Sequence, residues 1–168
     1  MPWLVSVSPT GMEIWLKGIY SPEDVLLAAA YPITGIIVSN HGGRQLDGAP
    51  ATLEALPACA NAARSSAARE IRARTGLGRL MVGVDGGVRR GSDIFKAIAL
   101  GADMCFAGRI PIWGLAYGGE DGVSRAIEIL RHEFEITMGL AGVKSVGDIT
   151  EASLAVVEGG VPGIISRL

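Results

Sequence analysis

Residues 80–107, LMVGVDGGVRRGSDIFKAIALGADMCFA, contain the pattern that decides the fold. The apolar run at 80–84 predicts a buried strand, and a glycine-rich turn follows it at 85–90. Ser92–Leu100 predicts a helix that Gly101 closes, and Asp103–Ala107 predicts the next strand. Strand, turn, helix and strand in this order are typical of a βα unit in a parallel sheet.

The same rhythm runs upstream of this unit. Glu13–Ile19 predicts a strand, and Ser21 is the expected N-cap of the helix that follows it. Gly35–Ser39 (GIIVS) has the continuous apolar character of a strand buried on both faces. An alanine-rich helical region then covers residues 52–74, with Pro57 expected to kink or restart it.

Downstream, Gly122–Leu140 predicts a long helix. Its apolar face is expected to carry Ile127, Leu130, Phe134 and Met138. Residues 1–152 therefore form the predicted domain, and 153–168 are expected to be a weakly structured tail. Four βα units predict an α/β fold equal to half of an eightfold (β/α)8 barrel, with an open doubly wound sheet as the alternative.

Composition excludes several classes of protein. The chain of 168 residues is 49% hydrophobic and 19% charged, which excludes a disordered protein. Its net charge of −2 gives no reason to expect nucleic acid or an anionic membrane as a partner. No apolar run approaches the roughly 20 residues of a membrane span. Cys59 and Cys105 are expected to be buried free thiols of a reducing compartment, which predicts a cytoplasmic location with a peroxisomal one left open.

Candidate functional residues follow the predicted strands, where ligands of βα folds bind. Lys17 ends the first strand, and His41 and Arg44 follow the second on either side of Gly42-Gly43. An imidazole suits proton abstraction, and a guanidinium matches a planar carboxylate, so a small carboxylic acid is the expected substrate. The structural alternatives are a rim lysine paired with an acid, a turn capped by His41, and an Arg44–Asp47 bridge.

Two further loops predict a phosphate site. Residues 85–93, DGGVRRGSD, place glycines and Arg89 or Arg90 before a helix N-terminus, and Gly108-Arg109 follows the last strand. Backbone N–H groups freed by glycine, together with arginine side chains, are suited to bind a phosphate. No histidine pair has metal-ligand spacing, so no metal is expected.

Taken together, VSNHGGRQLDGAPATLEALP, VGVDGGVRRGSDIFKAIALGAD and FAGRIPIWGLAYGGEDGV closely resemble the FMN-dependent 2-hydroxy-acid oxidases and dehydrogenases, the family of glycolate oxidase, lactate oxidase and flavocytochrome b2. The resemblance runs from about Trp15 to Ile149 and implies the C-terminal half of a (β/α)8 barrel. It also implies FMN as cofactor, His41 as the active-site base and Arg44 as the carboxylate-binding arginine. The remaining matches are cofactor-binding residues: Lys17 and Ser39 at the flavin ring, and Asp85, Gly86, Gly87, Arg89, Gly108 and Arg109 in the phosphate loops.

The resemblance also has departures. The family's first half, with its substrate-binding tyrosines and the aspartate that pairs with the histidine, has no counterpart in this sequence. The segment 63–78, ARSSAAREIRARTGLG, is longer than the family's usual connection. A half-barrel leaves open sheet edges, so a second copy or another protein is expected to close it.

The sequence therefore predicts an oxidoreductase that converts a small (S)-2-hydroxy acid to a 2-oxo acid with FMN. The alternative is a half-barrel without this activity, recruited for another non-redox reaction, ligand binding or assembly.

Overall fold

A computed structural model describes residues 2–157 and 165–166, and divides the chain into two compact units. The first unit is Met1–Gly86 and the second is Gly87–Leu168. The alternation of strands and helices confirms the predicted α/β class. Each unit is described by itself below.

The first unit contains a parallel sheet covered by helices. Its elements in chain order are α1 (Pro2–Val7), β1 (Trp15–Ile19), α2 (Pro22–Ala29), β2 (Gly35–Val38), α3 (Thr52–Arg64), α4 (Ser66–Arg74) and β3 (Met81–Asp85). The strands run parallel, with β2 between β1 and β3, and Ile37 pairs with Lys17 on one side and Gly83 on the other. As predicted, Ser21 caps α2, its Oγ accepting from the Asp24 N–H at 3.2 Å.

The two faces of this sheet differ because successive residues of a strand point to opposite sides. Ile36, Val38, Val82 and Val84 are almost completely buried, and α2 and α3 pack on this part of the unit. Lys17 and its partner Ile37 lie one position further along their strands, so they belong to the opposite face of the sheet. On that face Lys17 is exposed and Ile37 is half-buried. Functional groups at the carboxyl ends of the strands can therefore reach solvent on that face.

The predicted helical region 52–74 is two helices, and the break is not at Pro57. Helix α3 continues through Pro57, and the break comes at Ser65, whose backbone is extended. The Ser65 Oγ accepts from the Ala68 N–H at 3.2 Å and so caps α4. A serine that can cap a new helix decides the break here, because it satisfies an amide that the first turn leaves unpaired.

The second unit begins after the glycine turn. Its elements are α5 (Gly91–Ala99), β4 (Met104–Phe106), α6 (Arg109–Leu140), two 3-10 turns (Val146–Asp148 and Glu151–Ser153), and the antiparallel pair β5 (Val156–Val157) and β6 (Ile165–Ser166). Helix α6 begins at Arg109 rather than Gly122, and it is kinked where Gly118 and Gly119 depart from helical geometry. The predicted tail 153–168 lies largely outside the described residues and stays a prediction.

Glycines allow the helices of this unit to approach closely. The two segments of α6 meet at Gly114 and Gly122, where a Cβ on either residue would clash with the backbone of the other. Gly91 lies against the backbone of Glu133 and Phe134 in the same way. These contacts are possible only without a side chain, so the glycines fix the helix packing.

The core of the second unit lies between α5 and α6. Phe95 and Ala99 are buried with Ile149, and the Phe134 ring packs on Phe95 with centroids 6.5 Å apart. Leu130 is buried, and Phe134 and Met138 are half-buried, as the apolar face predicted. The prediction for Ile127 is wrong, because its side chain is 54% exposed.

Replacing Gly91 by Ala is expected to destabilise the protein by at least about 2 kcal/mol, since the new methyl group overlaps the Phe134 backbone. Gly139→Ala is the matched control, because a Cβ there meets nothing within 4 Å and Ala favours a helix. Urea unfolding measures both variants. Equal stability of the two variants would contradict the close packing of α5 against α6.

Cys59 is fully buried, and desolvation raises the pKa of its thiol to about 11. Because the thiolate is the reactive form, we expect an aromatic disulfide reagent at pH 8 to label Cys59 only after unfolding. Mass spectrometry of the labelled peptides, with and without urea, measures this. Rapid labelling of Cys59 in the native protein would show that α3 opens readily.

Candidate functional site

The site is built around Lys17, which lies in β1 two residues before the strand ends. Its ammonium lies 2.9 Å from Asp85 Oδ2 and donates to Ser39 Oγ at 2.7 Å. The strand register shifts between Lys17 and Ile19, and Gly18 lies between them with a φ of +91°. Such a bulge re-aims a neighbouring side chain, which accounts for a lysine directed along the edge of the sheet. The alternative interpretation of Lys17, a rim lysine paired with an acid, describes this geometry correctly.

His41 follows β2 in an uncommon backbone conformation. Its φ is +57°, the left-handed region in which histidine is enriched among the residues that carry a Cβ. The His41 N–H donates to Ser39 Oγ at 3.1 Å, so Ser39 contacts both His41 and Lys17. The imidazole is exposed. Lys17, Ser39, His41 and Asp85 are thus brought together by direct contacts.

The loop that carries His41 is organised by a residue that the sequence did not indicate. Asn40 accepts from the Gly43 N–H at 3.0 Å through its Oδ1, and its amide nitrogen donates to the Pro50 carbonyl at 3.3 Å. The Tyr20 hydroxyl also donates to the Pro50 carbonyl. Asparagine is a common turn residue because its side chain bonds to nearby backbone groups, which could have revealed this role.

Arg44 lies on the exposed part of the same loop. The structural alternative, an Arg44–Asp47 bridge, does not occur among the residues that the structure describes. Instead, Asp47 accepts from the Gly48 N–H at 3.0 Å. The Arg44 side chain is therefore not held to the site by an ion pair within the described part of the chain.

Asp85 and Gly86 end β3 beside the start of α3. The Thr52 hydroxyl, which is buried, donates to the Gly86 carbonyl at 3.1 Å and fixes this turn. Asp85 Oδ1 is buried and has no hydrogen-bond partner among the described residues. Thr52 was predicted only as a helix-starting residue, and nothing in its sequence context indicated the contact with Gly86.

The residues of the second unit that are predicted to bind phosphate lie in glycine-rich loops. A Cβ on Gly87, whose φ is +81°, or on Gly108 would meet nothing within 4 Å, so the backbone at both positions is open to a ligand. Arg89 and Arg109 are exposed.

The N-terminus of α5 differs from the sequence-based expectation. The N–H groups of Arg89 and Arg90 both donate to Asp93 Oδ2 at 2.9 Å, and the Gly91 N–H donates to Glu133 Oε2 at 2.9 Å. Carboxylates of the protein therefore already satisfy these amides. A phosphate would have to rely on the arginine side chains and the glycine backbone instead.

The described residues hold neither a metal-binding cluster nor a helix suited to a membrane. They contain no group of three His, Cys, Asp or Glu side chains that could hold a metal ion. No helix within 2–157 is both long enough and apolar enough to cross a membrane.

The sequence and the fold have clear relatives. Oxidase FUB9 of Fusarium oxysporum f. sp. lycopersici is 51% identical over 150 residues, which are 89% of this chain and 35% of the relative. Peroxisomal (S)-2-hydroxyacid oxidase GLO3 of Arabidopsis thaliana is 49% identical over 148 residues, 88% of this chain and 37% of the relative. A crystal structure of mandelate oxidase with 3,3-difluoro-2-hydroxy-3-phenylpropionic acid is 45% identical, has a TM-score of 0.67, and is matched over 82% of this chain and 38% of its own.

The chain spans little more than a third of the length of these relatives, as a half-barrel would. The family model for FMN-dependent dehydrogenases matches residues 2–156, nearly the whole chain. Both findings agree with the resemblance carried by the loops at the carboxyl ends of the strands. The chain belongs to the family of FMN-dependent dehydrogenases.

Proposed function

We propose that this chain takes part in the FMN-dependent oxidation of a small (S)-2-hydroxy acid to the 2-oxo acid. The observation that carries the proposal is the sharing of Ser39 Oγ by the Lys17 ammonium and the His41 N–H. This contact ties a candidate base and a candidate flavin-binding cation to the same strand end. Strand ends of this type are where βα folds bind their ligands.

His41 and Arg44 are the proposed substrate-binding pair. Oxidation of a 2-hydroxy acid removes two electrons and two protons, and His41 takes one of these protons, from the hydroxyl group or from the α-carbon. Arg44 holds the substrate carboxylate through its guanidinium fork. The exposure of both side chains supports this role, since a substrate can reach them.

Lys17 and Ser39 are the proposed contacts of the flavin ring. When bound, FMN supplies the acceptor for the electron pair. An ammonium beside the ring stabilises the negative charge that reduction adds. The residues present fit this group, because Asp85 Oδ1 is a buried acceptor without a partner in the described chain and the Lys17 side chain is 44% exposed beside it.

The phosphate of FMN is assigned to the glycine loops, with Gly86, Gly87 and Gly108 offering backbone and Arg89 and Arg109 offering positive charge. The positive charges of the two arginines balance the charge of a phosphate monoester, which is about −1.5 to −2 near pH 7. The open space at Gly87 and Gly108 supports this assignment.

The small share of the relatives' length that this chain covers favours a second candidate function. Because it covers only 35–38% of the relatives described above, a role without hydroxy-acid oxidation, as a ligand-binding or assembly module, has to be tested as well. Pairing with a second copy or another protein stays a prediction, as does a cytoplasmic location, since one of these relatives is named as peroxisomal. Molar mass in solution tests the pairing.

The first experiment separates the two candidates. The purified chain, reconstituted with FMN, is expected to lose its flavin absorbance anaerobically when glycolate, lactate or mandelate is added. His41→Ala should retain FMN but reduce its flavin at least about a hundredfold more slowly, because general-base catalysis contributes 10²–10⁴-fold. A chain that binds no FMN would contradict the oxidase proposal, and one that binds FMN without being reduced would favour the ligand-binding candidate.

The second experiment tests the flavin contact. Lys17→Met is expected to weaken FMN binding by about tenfold, since the variant loses a charged contact and leaves Asp85 unpaired. Lys144→Met is the matched control, because Lys144 is an exposed lysine in the second unit. Quenching of flavin fluorescence gives both dissociation constants. Equal affinities would remove Lys17 from the cofactor site.

A further inference from the structure

A cavity with both polar and apolar lining lies at the opposite, amino ends of the strands in the first unit. Its volume is about 320 Å³, and Ile14 and Thr34, which directly precede β1 and β2, are among its lining residues. Arg72, Gly78 and Arg79 complete its polar side. A water molecule takes up roughly 30 Å³ in the liquid, so this cavity has room for a small ion. Its position is distinct from that of Lys17, which lies within β1, and of Ser39, which directly follows β2.

Arg72 is the central group of this cavity. It belongs to α4, is only 5% exposed, and donates through Nη2 to the Ile33 carbonyl at 3.0 Å. Its Nε donates to the Gly78 carbonyl. The remaining nitrogen, Nη1, is buried and has no hydrogen-bond partner among the described residues. The guanidinium therefore retains donors that the described chain does not use.

The charge of Arg72 is also uncompensated in the described chain. No carboxylate of the described residues forms an ion pair with it, and burial lowers the pKa of its guanidinium. An unpaired charge inside a protein is costly, and two bonds to neutral carbonyls only partly offset that cost. Arg79, which is exposed, adds a second positive charge to the lining of the same cavity.

We propose that this cavity binds a small tetrahedral oxyanion of the phosphate type between Arg72 and Arg79. An arginine fork matches the oxygens of such an anion, and binding supplies the counterion that Arg72 lacks. Arg72 lies in α4, and Gly78 lies in the loop between α4 and β3. Because Arg72 joins α4 to the residue before Thr34, the anion stabilises the folded unit. It has no part in electron transfer.

The test uses the full chain and inorganic phosphate, compared with chloride at equal ionic strength. Phosphate should raise the midpoint of thermal unfolding progressively, as expected for a ligand that binds only the folded state. The shift should persist in Arg89→Gln, which removes a cation of the proposed FMN phosphate site. Loss of the shift in Arg89→Gln would assign the phosphate to that other site and overturn the proposal.

Gly78 permits a sharper variant. A Cβ on Gly78 would meet nothing within 4 Å and its φ is not positive, so Gly78→Glu can place a carboxylate at the cavity without strain. This variant should have a raised unfolding midpoint without phosphate, and at least about tenfold weaker phosphate binding because like charges repel. Gly78→Gln, which has the same size without the charge, should respond to phosphate as the parent protein does. Identical phosphate responses of the Glu and Gln variants would overturn the site.

Substitutions of arginines complete the test. Arg79→Gln should weaken phosphate binding while the protein still folds, since Arg79 is exposed. Arg74→Gln is the control, because Arg74 is exposed in the same helix and pairs with Glu70 at 2.5 Å. An equal loss of phosphate binding in both variants would indicate a general charge effect and contradict the assignment to the cavity.

Discussion

One ammonium group links β1 to the carboxyl ends of the next two strands. Lys17 is in β1, Ser39 directly follows β2 and Asp85 is the last residue of β3, and the Lys17 ammonium contacts both other side chains. The ion pair of Lys17 with Asp85 is partly exposed, since 44% of the lysine side chain and 18% of the aspartate side chain are accessible to solvent. The contribution of the Lys17–Asp85 ion pair to the free energy of unfolding therefore lies between two limits. A surface pair contributes up to about 1 kcal/mol, and breaking a buried pair costs several kcal/mol.

The position of the candidate base depends on this arrangement. Ser39 is buried and accepts from the His41 N–H as well as from Lys17, so the lysine orients the hydroxyl that fixes the start of the His41 loop. A left-handed residue with a Cβ costs roughly 1–2 kcal/mol. The bonds made by Ser39 and Asn40 offset that cost, and the loop keeps its histidine at the end of β2.

The sequence predicted the order of the strands and of most helices, because this order depends on local patterns. Glycine turns, Ser21 before Pro22, and apolar runs of strand length identified the βα units. The break at Ser65 was not predicted although a local cap decides it. The early start of α6 at Arg109 and the exposure of Ile127 were not predicted because they depend on tertiary packing. The pairing of Lys17 with Asp85 joins residues that are distant in sequence, and only strand register brings them together.

The two ends of the sheet in the first unit differ in their electrostatics. At the carboxyl end, Lys17 has Asp85 as its partner, and the unpaired atom is an acceptor, Asp85 Oδ1. At the amino end, the described residues offer the Arg72 guanidinium only backbone carbonyls as hydrogen-bond partners, and the atom left without a partner among them is a donor, Nη1. A folded protein contains few buried polar atoms without a hydrogen-bond partner, so each one calls for an explanation. A hydrogen-bond donor suits the unpaired Asp85 Oδ1 at the first end, and an acceptor suits the unpaired Arg72 Nη1 at the second. Helix α4 supplies the arginine at the second end, so the segment between α3 and β3 contributes charge as well as packing to this unit.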